Sequence, residues 1–446
     1  MGLTLALRLA ERGQRVTILE AGDHLGGLAD AWQLGDIVWD RHYHVILGSD
    51  SYVHRLLTDV QLEDRMRWET TKTGFLVNGR FYSLSNAWEF LKFPPLGLFD
   101  KVRLAWTIWH ASRTKNWQRL ENMPVQEWLI RHSGKRTFDK IWLPLLKAKL
   151  GDAWQRTNAA FIWATIQRMY AARDGGQKRE QFGYVQGGYA TILAGLSSKL
   201  RELNVQVENR FAATRVRRNE FGEMAVSSLD GREHTYDRVV VTATPGIAAR
   251  ICTQLPESAR DQLAKIETIG IVCPSVLLRR PLAGYYVTNI TTPAPFTGII
   301  EMSALVSSEE LNNHGLVYLP KYAAANDPIW RESDESISER FLTSMCELYP
   351  DFERSDVLTV RISRAQHVFT LPTLGYSQTI PPTATSIPGL YLVNSAQIVN
   401  GTLNVNETIR LAESSVDEVC APLVTEYQLD ESQNAKTDGE LVARPG

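Results

Sequence analysis

Cysteine is scarce in this chain: there are four in 446 residues, at positions 252, 273, 346 and 420. None forms a CxxC or zinc-ligand spacing. That excludes a disulfide-stapled fold and favours a reducing compartment, the cytoplasm. Apolar runs are short as well, and none reaches the roughly 18 residues of a membrane-spanning helix. The opening MGLTLALRLAERGQRV has a short Leu/Ala stretch without a cleavage site, and reads as a helix rather than a secretory signal. Charge of one sign is not in excess, since 48 Lys+Arg against 50 Asp+Glu leave a net −2. This argues against nucleic acid as a partner and against a polybasic anchor. No internal repeat is present. What remains is an ordinary globular composition, long enough to bury a core around a small-molecule cavity.

The apolar spacing of residues 3–12 predicts a helix, stopped by Gly13. Residues 15–19 (RVTIL) form a β-branched run of the kind found in buried parallel strands. It ends in Glu20 and is followed by the Gly-rich stretch AGDHLGGL, residues 21–28. Residues from about 84 to 182 read as mainly helical and hold eight of the twelve tryptophans, so aromatic packing is concentrated there. A helix is expected over 190–203, then strands at 205–207, 213–217, 224–227 and 238–242. Residues from about 268 to 370 read as mixed strands and helices. A strand at 390–393 and a helix from about 404 to 423 close the pattern, and a polar tail follows.

The α/β signal thus comes in three separated pieces. The fold class expected is α/β, a discontinuous Rossmann-like nucleotide domain with an inserted α+β substrate domain. The nucleotide domain takes residues 1–83, 190–267 and 375–423. The substrate domain takes 84–189 and 268–374, and 424–446 is a disordered tail. In a dinucleotide fold, glycines of the first βα turn lie beneath the pyrophosphate on a helix N-terminus. An acid at the end of the second strand accepts hydrogen bonds from the ribose. Gly2 opens the first helix and Glu20 follows 18 residues on, as such a unit requires. Gly2 then reads as the last glycine of a GxGxxG whose strand and earlier glycines are expected ahead of Met1. A helix followed by a strand ending in Glu is common, so this pattern alone does not decide.

Two further segments do. Glu20 and AGDHLGGLA resemble the E-A-x-x-x-x-G-G segment of the amine oxidase, protoporphyrinogen oxidase and phytoene desaturase superfamily of flavoproteins. The chain is identified as a member of that superfamily, apparently shortened at its N-terminus. The resemblance implies that Glu20, Ala21, Gly26, Gly27 and Leu28 bind FAD, with Gly26 and Gly27 turning backbone N–H groups to the pyrophosphate. The arginines common around that motif are replaced here by Gly22, His24 and Leu28, which speaks against close kinship with monoamine oxidases. GLYLVNSAQIVNGTLNVNETIRLAESSVDEV, from Gly389, is similar to the closing motif of the same superfamily. There Asn394 would stand near the ribityl phosphate. Thr402, Leu403 and Asn404 would bring a helix N-terminus beneath the flavin pyrimidine, where it stabilises negative charge. The alternative is an ordinary helix capped by Asn. The middle segment resembles the adenine-side strands, with backbone near Ala213 pairing the adenine. No cysteine stands where some relatives attach flavin covalently, so FAD is expected to be non-covalent.

On the substrate side, Asp40-Arg41-His42-Tyr43-His44 resembles the segment that related flavoproteins place on the flavin's substrate face. His44 and His42 are the candidate proton-transfer residues, since unperturbed imidazole titrates near pH 6.5. They equally suit bonding to backbone. Residues 84–117 carry Trp88, Phe90, Phe93, Leu96, Leu98, Phe99, Leu104, Trp106 and Trp109 among Lys92, Lys101 and Arg103. Such a stripe is usually core packing. As an amphipathic aromatic-basic surface it would lie against a membrane, and in some relatives this region does so, which would add a peripheral site at the inner face to the cytoplasmic location. Lys147 and Lys149 could meet an anionic substrate or simply be solvated. The expected function is an FAD-dependent oxidoreductase taking a hydride from a C–N or C–C centre of a small, apolar molecule. The rival expectations are a non-redox enzyme resembling UDP-galactopyranose mutase, and an inactive shortened product.

Overall fold

The computed structural model describes residues 1–77, 79–84, 87–171, 181–399 and 402–422. The expected tail, 424–446, lies outside them. The first helix runs Gly2–Glu11 and has two apolar faces. Leu5 packs with Val393, Ile398 and Leu411, while Ala6 and Leu7 join Leu57, Ile192 and Leu196. Each fully buried leucine contributes roughly 1.5–3 kcal/mol. Arg8, between those faces, donates to Glu413 at 2.6 and 2.9 Å and to Asp59 at 2.6 Å, tying the helix to its neighbours.

That helix lies against two separate parallel strand pairs. Thr17–Leu19 pairs with Gln206–Glu208, and Val239–Val241 pairs with Leu390–Leu392. Among the described residues no ladder joins the two pairs. A three-stranded antiparallel sheet, Ala213–Arg218, Met224–Ser228 and Glu233–Tyr236, stands beside them, with the expected turn at Asn219–Gly222. The helices Gly188–Glu202 and Val405–Cys420 complete this body. These short parallel strands range from buried (Leu390–Leu392) to partly exposed (Gln206–Glu208), and helices cover their apolar faces.

The second body is an eight-stranded mixed sheet built around the long strand Thr268–Leu278, which pairs with Val357–Thr370 over most of its length. Asp334–Leu348 packs through Ile337, Phe341 and Met345 into one of its apolar clusters. Two strands of this sheet, Thr73–Val77 and Arg80–Ser83, come from the segment expected in the nucleotide domain. Thr73–Val77 pairs with Val287–Ile290 on one side and with Arg80–Ser83 on the other, so this hairpin belongs to the large sheet. Gln181–Val185 pairs antiparallel with Met66–Thr70, its Phe182 and Tyr184 packing toward the large sheet and its Val185 toward the first helix. A hairpin's period is the same in either sheet, so local pattern could not assign it.

Helices between residues 87 and 171 form a third layer. Its core includes Trp128, Phe138, Leu129 and Trp154. The aromatic stripe divides in two along this layer. Phe93, Leu96 and Leu104 are buried, as is Lys101, whose ammonium donates to Leu91 O at 2.6 Å. Trp88, Leu98, Phe99, Val102, Trp106 and Trp109 are exposed. In the helix Leu98–Arg113 the residues at 101, 104, 108 and 111 face the core, and those at 99, 102, 106 and 109 do not.

Candidate active site

Three polar positions stand at the carboxyl ends of parallel strands, the place where open α/β sheets bind ligands. Glu20 follows Leu19, and its carboxylate accepts from the backbone N–H of Gly22 at 2.8 Å. This fixes the side chain and leaves acceptor capacity for ribose hydroxyls. Thr244 and Asn394 lie beyond Val241 and Leu392, which are partners in register. Thr244 Oγ1 and Asn394 Nδ2 are both buried without a hydrogen-bond partner among the described residues. Asn394 spends its other atoms on a local cap, Oδ1 accepting from Ala396 N at 3.0 Å. Buried polar groups are nearly always satisfied, so these two atoms, each beyond the end of a paired parallel strand, are candidates to meet a ligand.

The glycine turn lies alongside. Gly26 has φ 130°, and a Cβ there would come within 2.7 Å of Leu193 Cδ1. Gly27 has φ 58°, and a Cβ there would meet nothing within 4 Å. The backbone is therefore bent by Gly26 and open to close approach at Gly27. Ala21 is exposed at the head of this stretch, and Leu28 lies within it with its carbonyl turned to His42. Gly2, at the start of the first helix, packs toward Thr242, whose Oγ1 would be 3.4 Å from an added Cβ. A helix N-terminus of this length is a ready anion site. Ala213 opens the antiparallel sheet and pairs with Ser228. The segment before it is held to the glycine stretch, Phe211 N donating to Glu20 O and Arg210 N to Gly22 O.

From the far end of the sequence, Asn404 caps the helix Val405–Cys420, Oδ1 accepting from Glu407 N at 3.0 Å and Nδ2 donating to Thr402 O at 2.7 Å. Leu403 packs both on the cluster of Leu5 and Val393 and on the helical layer. Gly2 opens the first helix, Val393 and Leu403 pack with its Leu5, and Ala29, two residues after the glycine turn, packs on the cluster of its Ala6 and Leu7, while Gly26 itself faces Leu193 of the helix Gly188–Glu202. These residues fit an elongated dinucleotide: N–H groups for a pyrophosphate, an acid for a ribose, and a second helix N-terminus for an electron-rich ring edge.

The two histidines separate in role. His42 is buried, its Nδ1 3.2 Å from Leu28 O and its Nε2 3.0 Å from Ser363 Oγ. Nδ1–H donates to the carbonyl and Nε2 accepts the hydroxyl, so His42 ties the glycine stretch to the large sheet. It is a positioning residue with no free nitrogen for proton transfer, which corrects the expectation of a catalytic role. Burial, then the neighbouring His44 and Arg41, push its pKa down to about 4. The folded protein holds the imidazole neutral while the unfolded chain protonates near 6.5. The stability it contributes is whole above pH 6.5 and is lost as pH falls toward 4, roughly 3 kcal/mol at most. In urea titrations from pH 7 to pH 4, His42→Gln is expected to lose less stability than wild type by about that amount. Identical pH profiles would refute it, since carboxylates and other histidines cancel in the comparison.

His44 keeps a free atom. Its Nδ1 is buried without a partner and lies 3.8 Å from Asp40 Oδ2, beyond hydrogen-bond length. A cavity of ≈ 10 Å³ beside it, lined by Trp39, Asp40, Gly183, Tyr189 and Met302, has room for one water, enough to bridge the pair. Asp40 also accepts from Tyr189 N at 2.7 Å, at the start of the helix Gly188–Glu202, and Gly188 is kept bare by that carboxylate. Sequence reasoning missed the Tyr43–Tyr322 hydroxyl pair, 2.7 Å apart across 279 positions. Burial and the Tyr322 hydroxyl hold Tyr43 protonated far above the ordinary phenol range. Tyr322 lies in PKYAA, which has no local signal of its own.

Comparison with known proteins bears on family and fold. Flavin containing amine oxidoreductase is the family that matches, over residues 2–419. A 15-cis-phytoene desaturase of Glycine max is 21% identical over 411 residues, covering 85% of this chain and 69% of that protein. Among solved structures, putrescine oxidase with bound putrescine superposes with a TM-score of 0.71 at 15% identity, covering 94% of this chain and 96% of that one. Reduced UDP-galactopyranose mutase superposes with a TM-score of 0.70 at 15% identity, covering 94% and 91%. The match over nearly the whole chain makes this protein an FAD-dependent oxidoreductase, and the chain belongs to the flavin-containing amine oxidoreductase family.

Proposed function

We propose that this chain binds FAD without a covalent bond and oxidises a largely apolar molecule at an allylic C–H bond or one next to nitrogen. The observation that supports the reading is the set of Glu20 and Asn394 at the carboxyl ends of parallel strands, the bent Gly26–Gly27 turn after Glu20, and Leu403, which packs both beside Val393 and on the helical layer. When bound, FAD supplies the hydride acceptor. The chain's own residues supply the rest. Gly26 and Gly27 present backbone donors, Glu20 takes the ribose, and the helix after Asn404 lends its positive end to the pyrimidine. Phe161, Phe369 and Leu403 line the seam between the helical layer and the large sheet and exclude water, and His44 is the candidate to move a proton, through a water to Asp40.

Purified protein tests this directly. Flavin absorbance, released intact into the supernatant on denaturation, and bleached by an oxidisable substrate, is the expected result. A colourless protein that takes up no added FAD would sink the proposal. A bound flavin that stays in the pellet would show a covalent link instead. Catalysis that needs a reductant but consumes none would favour the mutase-like chemistry.

We also propose that the exposed face of residues 88–109 docks on a lipid surface. Trp88, Leu98, Phe99, Val102, Trp106 and Trp109 are 45–73% exposed. Cations flank them: Lys92 lies 4.7 Å over the Trp88 ring, Arg103 5.9 Å over Phe99 and Arg113 5.9 Å over Trp109. Exposed tryptophans rimmed by Lys and Arg suit the headgroup boundary. No described helix is long and apolar enough to cross a membrane. The docked face belongs to the same helical layer that lines the seam, so an apolar substrate could pass from lipid to flavin without crossing water.

A further inference from the structure

The seam between the helical layer and the large sheet holds a cation with no counter-charge. Lys149, at the end of the helix Leu143–Leu150, is half-buried, its Nζ 3.7 Å from the centroid of the Tyr322 ring and 5.2 Å from that of Phe369. Among the described residues no carboxylate is within ion-pair reach of it. Two acids at the edge of the layer are engaged elsewhere: Glu267 pairs with Arg156, and Glu121 accepts from Ser377. Lys147, two residues earlier, is exposed and touches neither ring.

This spot is rich in hydrogen-bond donors. Lysine brings three donors and no acceptor. In the Tyr43–Tyr322 pair one hydroxyl donates to the other, which leaves one phenolic proton to donate outward. Tyr322 packs on both apolar clusters of the seam, and Phe161, Phe369 and Leu403 pack on the helical one. A ligand here meets an apolar wall ending in the Lys149 ammonium and a phenolic O–H, and the positive charge opposes a second ammonium.

We infer that Lys149 is a specificity-determining residue: it receives a carboxylate on a substrate whose apolar body lies along Phe161, Phe369 and Leu403, and it repels protonated amines. This rests on the flavin reading above and narrows it, away from amines and toward C–C oxidation of an apolar acid.

The test uses two soluble molecules of one shape and opposite charge, 4-phenylbutyrate and 4-phenylbutylamine. Their binding to the full chain is measured by titration calorimetry at neutral pH, and the flavin content of the same sample by absorbance. Wild type is expected to bind the acid at least about tenfold more tightly than the amine. Lys149→Gln is expected to lose that preference, and Lys149→Arg to keep it. Equal binding of acid and amine by wild type, no binding of either, or a preference that survives in Lys149→Gln would each overturn the inference. The two readings fail separately: a colourless sample that still prefers the acid sinks the flavin, and a yellow one without preference sinks the role of Lys149.

Discussion

Gly27→Ala is expected to empty the protein of flavin while leaving it folded. At φ 58° an alanine costs about 1–2 kcal/mol in backbone strain. Its methyl meets no protein atom within 4 Å, so packing is untouched. A melting temperature lowered by no more than about 3 °C follows for a chain of this size. The open space at Gly27 is where the pyrophosphate must approach to reach the backbone donors. Losing two hydrogen bonds to a charged group, at about 1.5–3 kcal/mol each, weakens flavin binding roughly a hundredfold or more. Gly26→Ala is the contrast. Its Cβ would meet Leu193 Cδ1 at 2.7 Å and Asp30 at 3.3 Å from a φ of 130°, so fold and cofactor should both suffer, by roughly 3 kcal/mol in stability. Absorbance of equilibrated samples and thermal melts read the two effects apart. Full flavin occupancy in Gly27→Ala would place the cofactor elsewhere.

The second large effect is expected at the exposed aromatic face. Phe99→Ser, Trp106→Ser and Trp109→Ser combined should remove binding to vesicles of mixed neutral and anionic lipid. Full burial of such side chains contributes about 1.5–3 kcal/mol each. Even at half that in a headgroup boundary, the three together amount to roughly a hundredfold or more in partitioning. Phe99 and Trp106 are more than half exposed and Trp109 is 45% exposed, so the folded protein should melt within about 2 °C of wild type. Co-sedimentation with vesicles decides it: unchanged partitioning of the triple variant would show that this face serves no lipid surface.

The parts of the site legible in sequence were those made by neighbours along the chain. Glu20 bonding Gly22, the bent Gly26–Gly27 pair and Asn404 capping its own helix all lie within a few residues of each other. His42 shows the limit. Its residue type suits proton transfer, but Leu28 O and Ser363 Oγ occupy both nitrogens, and Ser363 is 321 positions away. The hairpin at 73–83 shows the same limit for topology, since Val287–Ile290, the partner of its first strand, lies some two hundred residues on. The aromatic stripe was ambiguous for a different reason. Helical spacing shows that two faces exist, and only packing shows which is covered.

Turn chemistry, capping and the periods of helix and strand were determined by the sequence itself, because each is a property of φ/ψ sterics and hydrogen bonds between residues a few positions apart. Which buried polar atoms are left orphaned, which lysine lies over a tyrosine without a counter-charge, and which tryptophans remain in solvent were decided by tertiary structure alone. Those outcomes depend on burial and on partners hundreds of residues distant, and neither is written in any local stretch of the chain.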